Sequence, residues 1–266
     1  MSTTKEETLH LKNGKISIQT AGSGPTILLL HGLGGASGSW KYQLETLQRE
    51  YTVIAWDAPG YGRSDRRRPD VDAYADALQE LAEASGFDGV TVVGHSMGGV
   101  IAGRLAARNP GWISRLVLSS TFTGNGNQEP DAPLSEGYRR RIQELDTMSR
   151  EDFGRARARS MTPKGTRKVP FDLVAEIAGR VDRGGYEDAC RMLDRADNRE
   201  ALMRVRMPVL ILSAEKDTIM SEANADQLAE LIPHAQRETV YGVGHAPYIE
   251  DPEQYNRILI NYIRRL

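Results

Sequence analysis

Short runs of β-branched and aliphatic residues recur along the chain and alternate with longer amphipathic stretches. The short runs predict strands at 8–11, 15–20, 26–30, 52–56, 90–93, 116–118, 209–212 and 237–241. The amphipathic stretches predict helices at 40–49, 72–84, 98–109, 222–231 and 252–264. The turn signal Asn13-Gly14 joins the first two strands into an antiparallel hairpin. The later alternation of strands and helices predicts an α/β fold, with a mostly parallel twisted sheet flanked by helices.

This alternation is interrupted between about residues 121 and 206, where no β-branched run occurs and Arg, Glu, Asp, Ala and Leu dominate. We therefore expect residues 1–120 and 207–266 to form one core, with residues 121–206 inserted as a helical cap. The cap contains an arginine triplet at 139–141 that could bind an anion. Because acidic residues in the cap nearly balance the basic ones, we interpret these arginines as members of solvated helices.

Composition narrows the range of partners. The chain has 266 residues with a hydrophobic fraction of 39%, which is enough apolar material for a sizeable core. Its formal net charge of −2 gives no general attraction to nucleic acid or anionic membranes. Cys190 is the only cysteine, so an internal disulfide is excluded and a reducing compartment is favoured. No stretch suggests a signal peptide or a membrane span. We expect a cytoplasmic protein with a small-molecule substrate, and homo-oligomerisation is left open.

The segment 94–98, Gly-His-Ser-Met-Gly, joins a predicted buried strand to a predicted helix. So tight a turn forces Ser96 toward positive φ and leaves no room for side chains at Gly94 and Gly98. Such an elbow exposes the Ser96 hydroxyl and places the amide of Met97 at a helix N-terminus, where backbone donors are unpaired. The pattern predicts that Ser96 is a nucleophile.

A serine nucleophile requires a base, and histidine fits this role near neutral pH. The chain has five histidines: His10, His31, His95, His234 and His245. His95 adjoins the serine, but local geometry suggests that its side chain points away. His245 follows the last predicted strand in the loop Gly-Val-Gly-His-Ala-Pro, and open α/β sheets assemble their sites at the carboxyl ends of strands. We therefore predict that His245 is the base.

The base requires an acid that fixes its tautomer. Asp217 lies just beyond the strand that precedes the His245 strand, so the chain order Ser96, Asp217, His245 is that of an α/β-hydrolase triad. Glu215 is the nearest competitor, but it directly abuts the strand. Asp57 also follows a strand, and a structural role in the turn after it is preferred.

The glycine-rich segment 30–35, Leu-His-Gly-Leu-Gly-Gly, follows a central predicted strand. Its Leu33 amide could face the amide of Met97, and the two would form an oxyanion hole. Nucleophilic catalysis of this kind requires no cofactor, and we predict neither a cofactor nor a metal.

Along almost its whole length the chain resembles the α/β-hydrolase family. The resemblance rests on residues 31–35, 56–64 (Trp-Asp-Ala-Pro-Gly-Tyr-Gly-Arg-Ser), 94–98, Asp217 and 244–247 (Gly-His-Ala-Pro). Within the family it is similar to beta-ketoadipate enol-lactonases and to carbon–carbon hydrolases of aromatic meta-cleavage pathways, which implies a role in aromatic catabolism.

Two positions depart from these groups. The carbon–carbon hydrolases commonly have Asn where this chain has His95, and the enol-lactonases commonly have Ser where it has Gly32. The elbow serine also differs from the aspartate of dehalogenases and epoxide hydrolases.

The sequence therefore predicts a serine hydrolase that cleaves a small carboxylic ester or lactone through an acyl-enzyme. One alternative is hydrolysis of a carbon–carbon bond in a meta-cleavage-type diketone, which would use the same residues. A second alternative is a ligand-sensing protein that keeps the fold and the triad without turnover.

Overall fold

An eight-stranded sheet lies at the centre of the computed structural model, which describes residues 4–127 and 132–265. The strands are β1 (Lys5–Leu11), β2 (Gly14–Ala21), β3 (Thr26–Leu30), β4 (Thr52–Trp56), β5 (Val90–His95), β6 (Ile113–Ser119), β7 (Val209–Ala214) and β8 (Gln236–Val240). Their spatial order is β1-β2-β4-β3-β5-β6-β7-β8. The first two pairings are antiparallel and the other five are parallel, which confirms the predicted mostly parallel α/β sheet.

Helices connect the strands and flank the sheet. Within the described ranges they are α1 (Lys41–Leu47), α2 (Val71–Ser85), α3 (Met97–Ala106), α4 (Glu136–Thr147), α5 (Arg150–Met161), α6 (Lys168–Ala178), α7 (Arg183–Arg195), α8 (Arg199–Leu202), α9 (Glu222–Leu231), α10 (Pro247–Glu250) and α11 (Pro252–Arg264). One 3₁₀ turn, Ser37–Trp40, precedes α1. None of the helices in these ranges is both long and apolar enough to cross a membrane.

The strands place successive side chains on opposite faces of the sheet, as the pleat requires. In β3, Ile27 and Leu29 belong to one hydrophobic cluster, whereas Leu28 and Leu30 belong to the other. All four side chains are almost fully buried. This explains why the strand is continuously apolar, since helices cover the sheet on both faces.

The segment between β6 and β7 contains α4 to α8, and its described residues form no strand. It packs closely against the rest of the molecule: Phe153 and Tyr186 belong to one hydrophobic cluster, and Val174 belongs to the other. The rings of Phe153 and Tyr186 meet edge to face with their centroids 5.7 Å apart. The division into a core and a separate cap at 121–206 stays a prediction, and these contacts indicate that such a cap would share the hydrophobic clusters of the core.

Candidate active site

Ser96 occupies a sharp turn between β5 and α3. Its backbone has φ 51° and ψ −114°, a conformation that costs free energy in a residue with a side chain. The surrounding packing enforces it: a Cβ on Gly94 would lie 2.5 Å from the carbonyl oxygen of Gly98, and a Cβ on Gly98 would lie 2.3 Å from that of Leu30. The Thr121 hydroxyl donates to the Ser96 carbonyl oxygen at 2.6 Å. The strand, turn and helix are thereby held in close contact around the Ser96 hydroxyl.

His245 lies between Ser96 and Asp217. Its Nε2 is 3.1 Å from Ser96 Oγ, and its Nδ1 is 2.7 Å from Asp217 Oδ2. The other carboxylate oxygen of Asp217 accepts hydrogen bonds from the amides of Ile219 at 2.8 Å and Met220 at 2.9 Å. The sequence-predicted Ser96, Asp217 and His245 are therefore brought together in one hydrogen-bonded chain.

The environment of Asp217 favours its ionised form. Burial acts to raise the pKa of Asp217, but the neighbouring His245 imidazole and the two amide donors outweigh burial, and the pKa is lowered. An ionised carboxylate only accepts hydrogen bonds, so Nδ1 of His245 carries the proton in this pair. Nε2 is then free to accept the Ser96 hydroxyl proton.

Two competing carboxylates have other partners. Glu215 Oε2 accepts the amide of Gly242 at 2.9 Å. The two oxygens of Asp57 accept from the Ser17 hydroxyl and the Ser37 amide, each at 2.7 Å. None of these bonds leads to His245, and Asp57 instead fixes the turns that follow β3 and β4.

Three of the other histidines also lie outside the hydrogen-bonded chain. His31 accepts the Ala58 amide on Nε2 at 3.0 Å, and its Nδ1 lies 2.9 Å from the Gly32 carbonyl oxygen. Burial lowers the pKa of His31, which suits a neutral ring with one donor and one acceptor nitrogen. His10 is an exposed residue of β1, and His234 is exposed near the start of β8.

His95 is not part of the hydrogen-bonded chain, but it contacts His245. Its Nε2 lies 2.7 Å from the carbonyl oxygen of His245, so Nε2 carries the proton and donates it. The two rings are 4.9 Å apart between centroids. Burial is the main reason that the pKa of His95 is lowered to about 3, and the neighbouring His245 adds to this effect. His95 is thus a neutral donor to the backbone of His245, the predicted base.

Gly32 and His95, the two positions at which the chain departs from the enol-lactonases and the carbon–carbon hydrolases, are neighbours in space. A Cβ on Gly32 would lie 2.8 Å from His95 Nδ1 and 3.1 Å from Ser96 Cβ. A serine at position 32 would therefore collide with the His95 ring. The glycine at 32 and the histidine at 95 form a matched pair, which the sequence alone presented as two unrelated differences.

The backbone around His245 is held from several sides. The His245 amide donates to the carbonyl oxygen of Met161, at the end of α5, at 2.7 Å. Glu250 Oε1 accepts the amides on either side, from Gly244 at 3.0 Å and from Ala246 at 3.2 Å. The two amide hydrogen bonds act to lower the pKa of Glu250, but burial outweighs them and the pKa is raised. Sequence reasoning missed Met161 and Glu250, because only their packing against the loop distinguishes them.

The two predicted oxyanion donors, Leu33 and Met97, lie near Ser96. Met97 is the first residue of α3, where a backbone amide has no partner within the helix. Leu33 lies in the loop after β3 and lines the same cavity as Ser96 and His245. Neither amide donates to an acceptor among the described residues. In the same ranges, no group of three His, Cys, Asp or Glu residues is arranged to hold a metal ion.

A cavity of about 350 Å³ opens above Ser96 and His245. This volume is in the range of small-ligand pockets. Its other lining residues are mixed in polarity: Leu33, Phe122, Asn125, Ser135, Gly137, Tyr138, Arg141, Arg157, Ser160, Met161, Tyr186, Leu193, Ile219, Met220 and Asn224. Of the arginine triplet, Arg139 and Arg140 are exposed, as expected for solvated helices, whereas Arg141 is half-buried and lines the cavity.

Residues 27–258 match the alpha/beta hydrolase family, and the chain belongs to this family. It is 32% identical to polyketide synthase ThaQ of Burkholderia thailandensis over 97% of this chain, but it spans only 13% of the length of ThaQ. It is 28% identical to RutD of Escherichia coli, provisionally named a carbamate hydrolase, over 91% of each chain. The fold is shared with the enol-lactonase of Burkholderia xenovorans LB400, with a TM-score of 0.85, 20% identity, and coverage of 97% of this chain and 100% of that one. Together the family and these relatives support a hydrolase-type enzyme.

Proposed function

We propose that this protein is a serine hydrolase that cleaves a small carboxylic ester or lactone through an acyl-enzyme. The observation that carries the proposal is the hydrogen-bonded chain from Ser96 Oγ through His245 to Asp217, at 3.1 and 2.7 Å, on the floor of a cavity of ligand size. Hydrolysis of an ester needs a nucleophile, a base and donors for an oxyanion, and this site offers candidates for each.

In the first half of the reaction, Ser96 Oγ attacks the ester carbonyl carbon while His245 Nε2 takes the hydroxyl proton. The carbonyl oxygen becomes an oxyanion that accepts hydrogen bonds from the amides of Leu33 and Met97. His245 then gives the proton to the departing alkoxide, and the bond between the carbonyl carbon and the alcohol oxygen breaks. The alcohol leaves, and the acyl group remains on Ser96.

In the second half, water attacks the acyl carbon and His245 Nε2 takes one of its protons. Collapse of the second oxyanion returns the proton to Ser96 Oγ and releases the carboxylic acid. Asp217 stays ionised throughout, holds the His245 tautomer and stabilises the imidazolium. In a lactone the alcohol and the acid remain parts of one product.

The experiment uses p-nitrophenyl acetate and a fluorophosphonate probe on the wild type and on Ser96→Ala. We expect one probe per wild-type chain and loss of both labelling and turnover in the variant, because the probe and the ester react with the same oxygen. Ser120→Ala is the matched control, since Ser120 is also a buried serine with positive φ, at 43°, in a neighbouring strand-end turn. It should keep both activities.

Labelling that survives in Ser96→Ala would contradict the assignment.

A panel of lactones, aryl esters and meta-cleavage diketones separates the remaining alternatives. A kcat/KM for a diketone that exceeds the ester values by orders of magnitude would replace ester cleavage with carbon–carbon cleavage. Tight binding of a panel compound with kcat far below about 1 s⁻¹ would instead favour a ligand sensor.

A further inference from the structure

Two arginines from successive helices share the cavity with the candidate nucleophile. Arg141 comes from α4 and Arg157 from α5, and both line the space that Ser96 and His245 also line. Among the described residues that line this cavity, they are the only Lys, Arg, Asp or Glu side chains. The charge that a bound ligand meets directly is therefore positive.

Arg141 has no carboxylate partner among the described residues. Its guanidinium lies over the Tyr138 ring, 5.8 Å from the ring centroid. A cation–π contact of this kind does not occupy the N–H groups of the guanidinium, so they stay available as hydrogen-bond donors to a ligand. Arg140, one residue earlier, instead points to solvent and lies 3.9 Å from Glu144.

Arg157 is more deeply placed, with a side chain that is 13% exposed. Its guanidinium lies 3.7 Å from Glu144, too far for a hydrogen bond, and its Nε is buried without an acceptor among the described residues. A buried donor without an acceptor is costly in a folded protein. Tyr186 lies beside it. Burial raises the pKa of the Tyr186 phenol to about 12, although the Arg157 charge and a hydrogen bond from the Arg157 side chain both act to lower it.

Two carboxylates lie behind the cavity wall. Glu144 forms an ion pair with Arg157 at 3.7 Å, which leaves Nε of Arg157 without an acceptor among the described residues. Asp194 is buried, and its two oxygens already accept from the side chains of Asn125, Asn127 and Ser135 and from the Ser135 amide. Neither Asp194 nor Glu144 lines the cavity. The guanidinium groups thus remain the charged groups that a ligand can contact.

We propose that Arg141 and Arg157 form a carboxylate-binding subsite, and that the natural substrate is an ester or lactone that carries a free carboxylate. The inference rests on the proposed function and narrows its substrate class. A guanidinium binds a carboxylate through two parallel, charge-assisted hydrogen bonds, which fix orientation as well as position. The subsite would hold the anionic end of the substrate and leave the reacting carbonyl beside Ser96.

The test compares two p-nitrophenyl esters that differ at the far end of the acyl chain: the neutral pentanoate and the anionic hydrogen glutarate. We expect kcat/KM for the glutarate ester to be at least about tenfold higher, as one charge-assisted contact can provide. Arg141→Met keeps most of the side-chain volume and should reduce kcat/KM for the glutarate ester at least about tenfold more than kcat/KM for the pentanoate ester.

Matched variants separate this effect from misfolding. Arg139→Met removes an exposed arginine of the same helix and should leave both esters unchanged. Arg157→Met combined with Glu144→Gln removes the second guanidinium without leaving Glu144 unpaired, and should also affect the glutarate ester selectively.

Equal kcat/KM for the two esters in the wild type, or equal losses on both esters in Arg141→Met, would overturn the subsite while the proposed hydrolase stands. If neither ester is turned over, the result contradicts the proposed hydrolase activity but does not bear on the subsite. Calorimetric titration with glutarate then tests whether the subsite binds a carboxylate. Glutarate binding that Arg141→Met weakens supports it, and no binding to the wild type overturns it.

Discussion

The contact between Asp217 and His245 provides a sharp test of the proposed triad, because a competing carboxylate lies two residues away. Asp217→Asn removes the negative charge and keeps the shape of the side chain. The amide can also present an N–H group to Nδ1 of His245, and this favours the tautomer in which Nε2 is protonated and unable to accept the Ser96 proton. We expect a severe loss of kcat/KM for p-nitrophenyl acetate.

The size of the loss follows from the geometry. At the 2.7 Å between Asp217 Oδ2 and His245 Nδ1, two unit charges at an effective dielectric constant of about 20 attract by roughly 6 kcal/mol. The charges are spread over the carboxylate and the ring, so about half of this value is a reasonable lower figure. With about 1.4 kcal/mol per tenfold change in rate, the expected loss lies between about 100-fold and about 10⁴-fold. The equivalent change in a serine protease costs about 10⁴-fold in kcat.

Glu215→Gln is the control, since Glu215 holds the Gly242 amide at 2.9 Å and a glutamine oxygen can still accept that bond. It should change kcat/KM less than about threefold, because an exposed neutral acceptor replaces an exposed charged one. Circular dichroism and the urea midpoint verify that both variants are folded. A severe loss in Glu215→Gln together with near-normal activity in Asp217→Asn would refute the assignment of the acid.

Two further predictions concern the pair formed by Gly32 and His95. Gly32→Ala places a Cβ 2.8 Å from His95 Nδ1 and should lower the free energy of unfolding by about 1–3 kcal/mol in urea titrations, as overpacking does. Gly111→Ala is the control, because a Cβ there meets nothing within 4 Å and should leave the free energy of unfolding unchanged. Equal effects of the two substitutions would refute the steric argument. The pKa of His95 is about 3 in the folded protein and 6.5 when unperturbed. As the pH falls from 6.5 toward 3, His95 is therefore protonated in the unfolded chain but stays neutral in the folded protein, and this difference destabilises the fold. Between pH 8 and pH 5 the wild type should therefore lose about 2 kcal/mol more stability than His95→Asn, and identical pH profiles would show that His95 is not held neutral.

The sequence predicted the sheet well because buried strands carry their own signal. Polar residues at strand ends obscured the boundaries: β6 extends to Ile113 although Ser114 and Arg115 interrupt the apolar run, because Arg115 still pairs with Thr91 of β5. The spatial order of strands was not predictable in the same way. It depends on which strands pair across the sheet, and no local pattern of polarity encodes that choice.

The candidate site was predictable where chemistry coincides with a turn or a strand end. Ser96, Asp217 and His245 each follow a strand, so their convergence follows from parallel pairing. The cavity wall was not predictable. Arg155, Arg157 and Arg159 look alike in the sequence of α5, and only the packing of α5 places Arg157 in the cavity while Arg159 is exposed.

The same helix links the proposed carboxylate subsite to the proposed base. Arg157 lies four residues before Met161 in α5, so the two share one helix face, and the carbonyl oxygen of Met161 accepts the His245 amide at 2.7 Å. A displacement of α5 must therefore break this bond or move the His245 backbone with it. In the proposed mechanism His245 Nε2 must stay near 3 Å from Ser96 Oγ for proton transfer, so the position of α5 would constrain the chemistry as well as the shape of the cavity. Substitutions that loosen α5 should accordingly lower kcat on neutral esters, whereas loss of Arg141 alone should lower kcat/KM selectively for esters whose acyl chain carries a carboxylate.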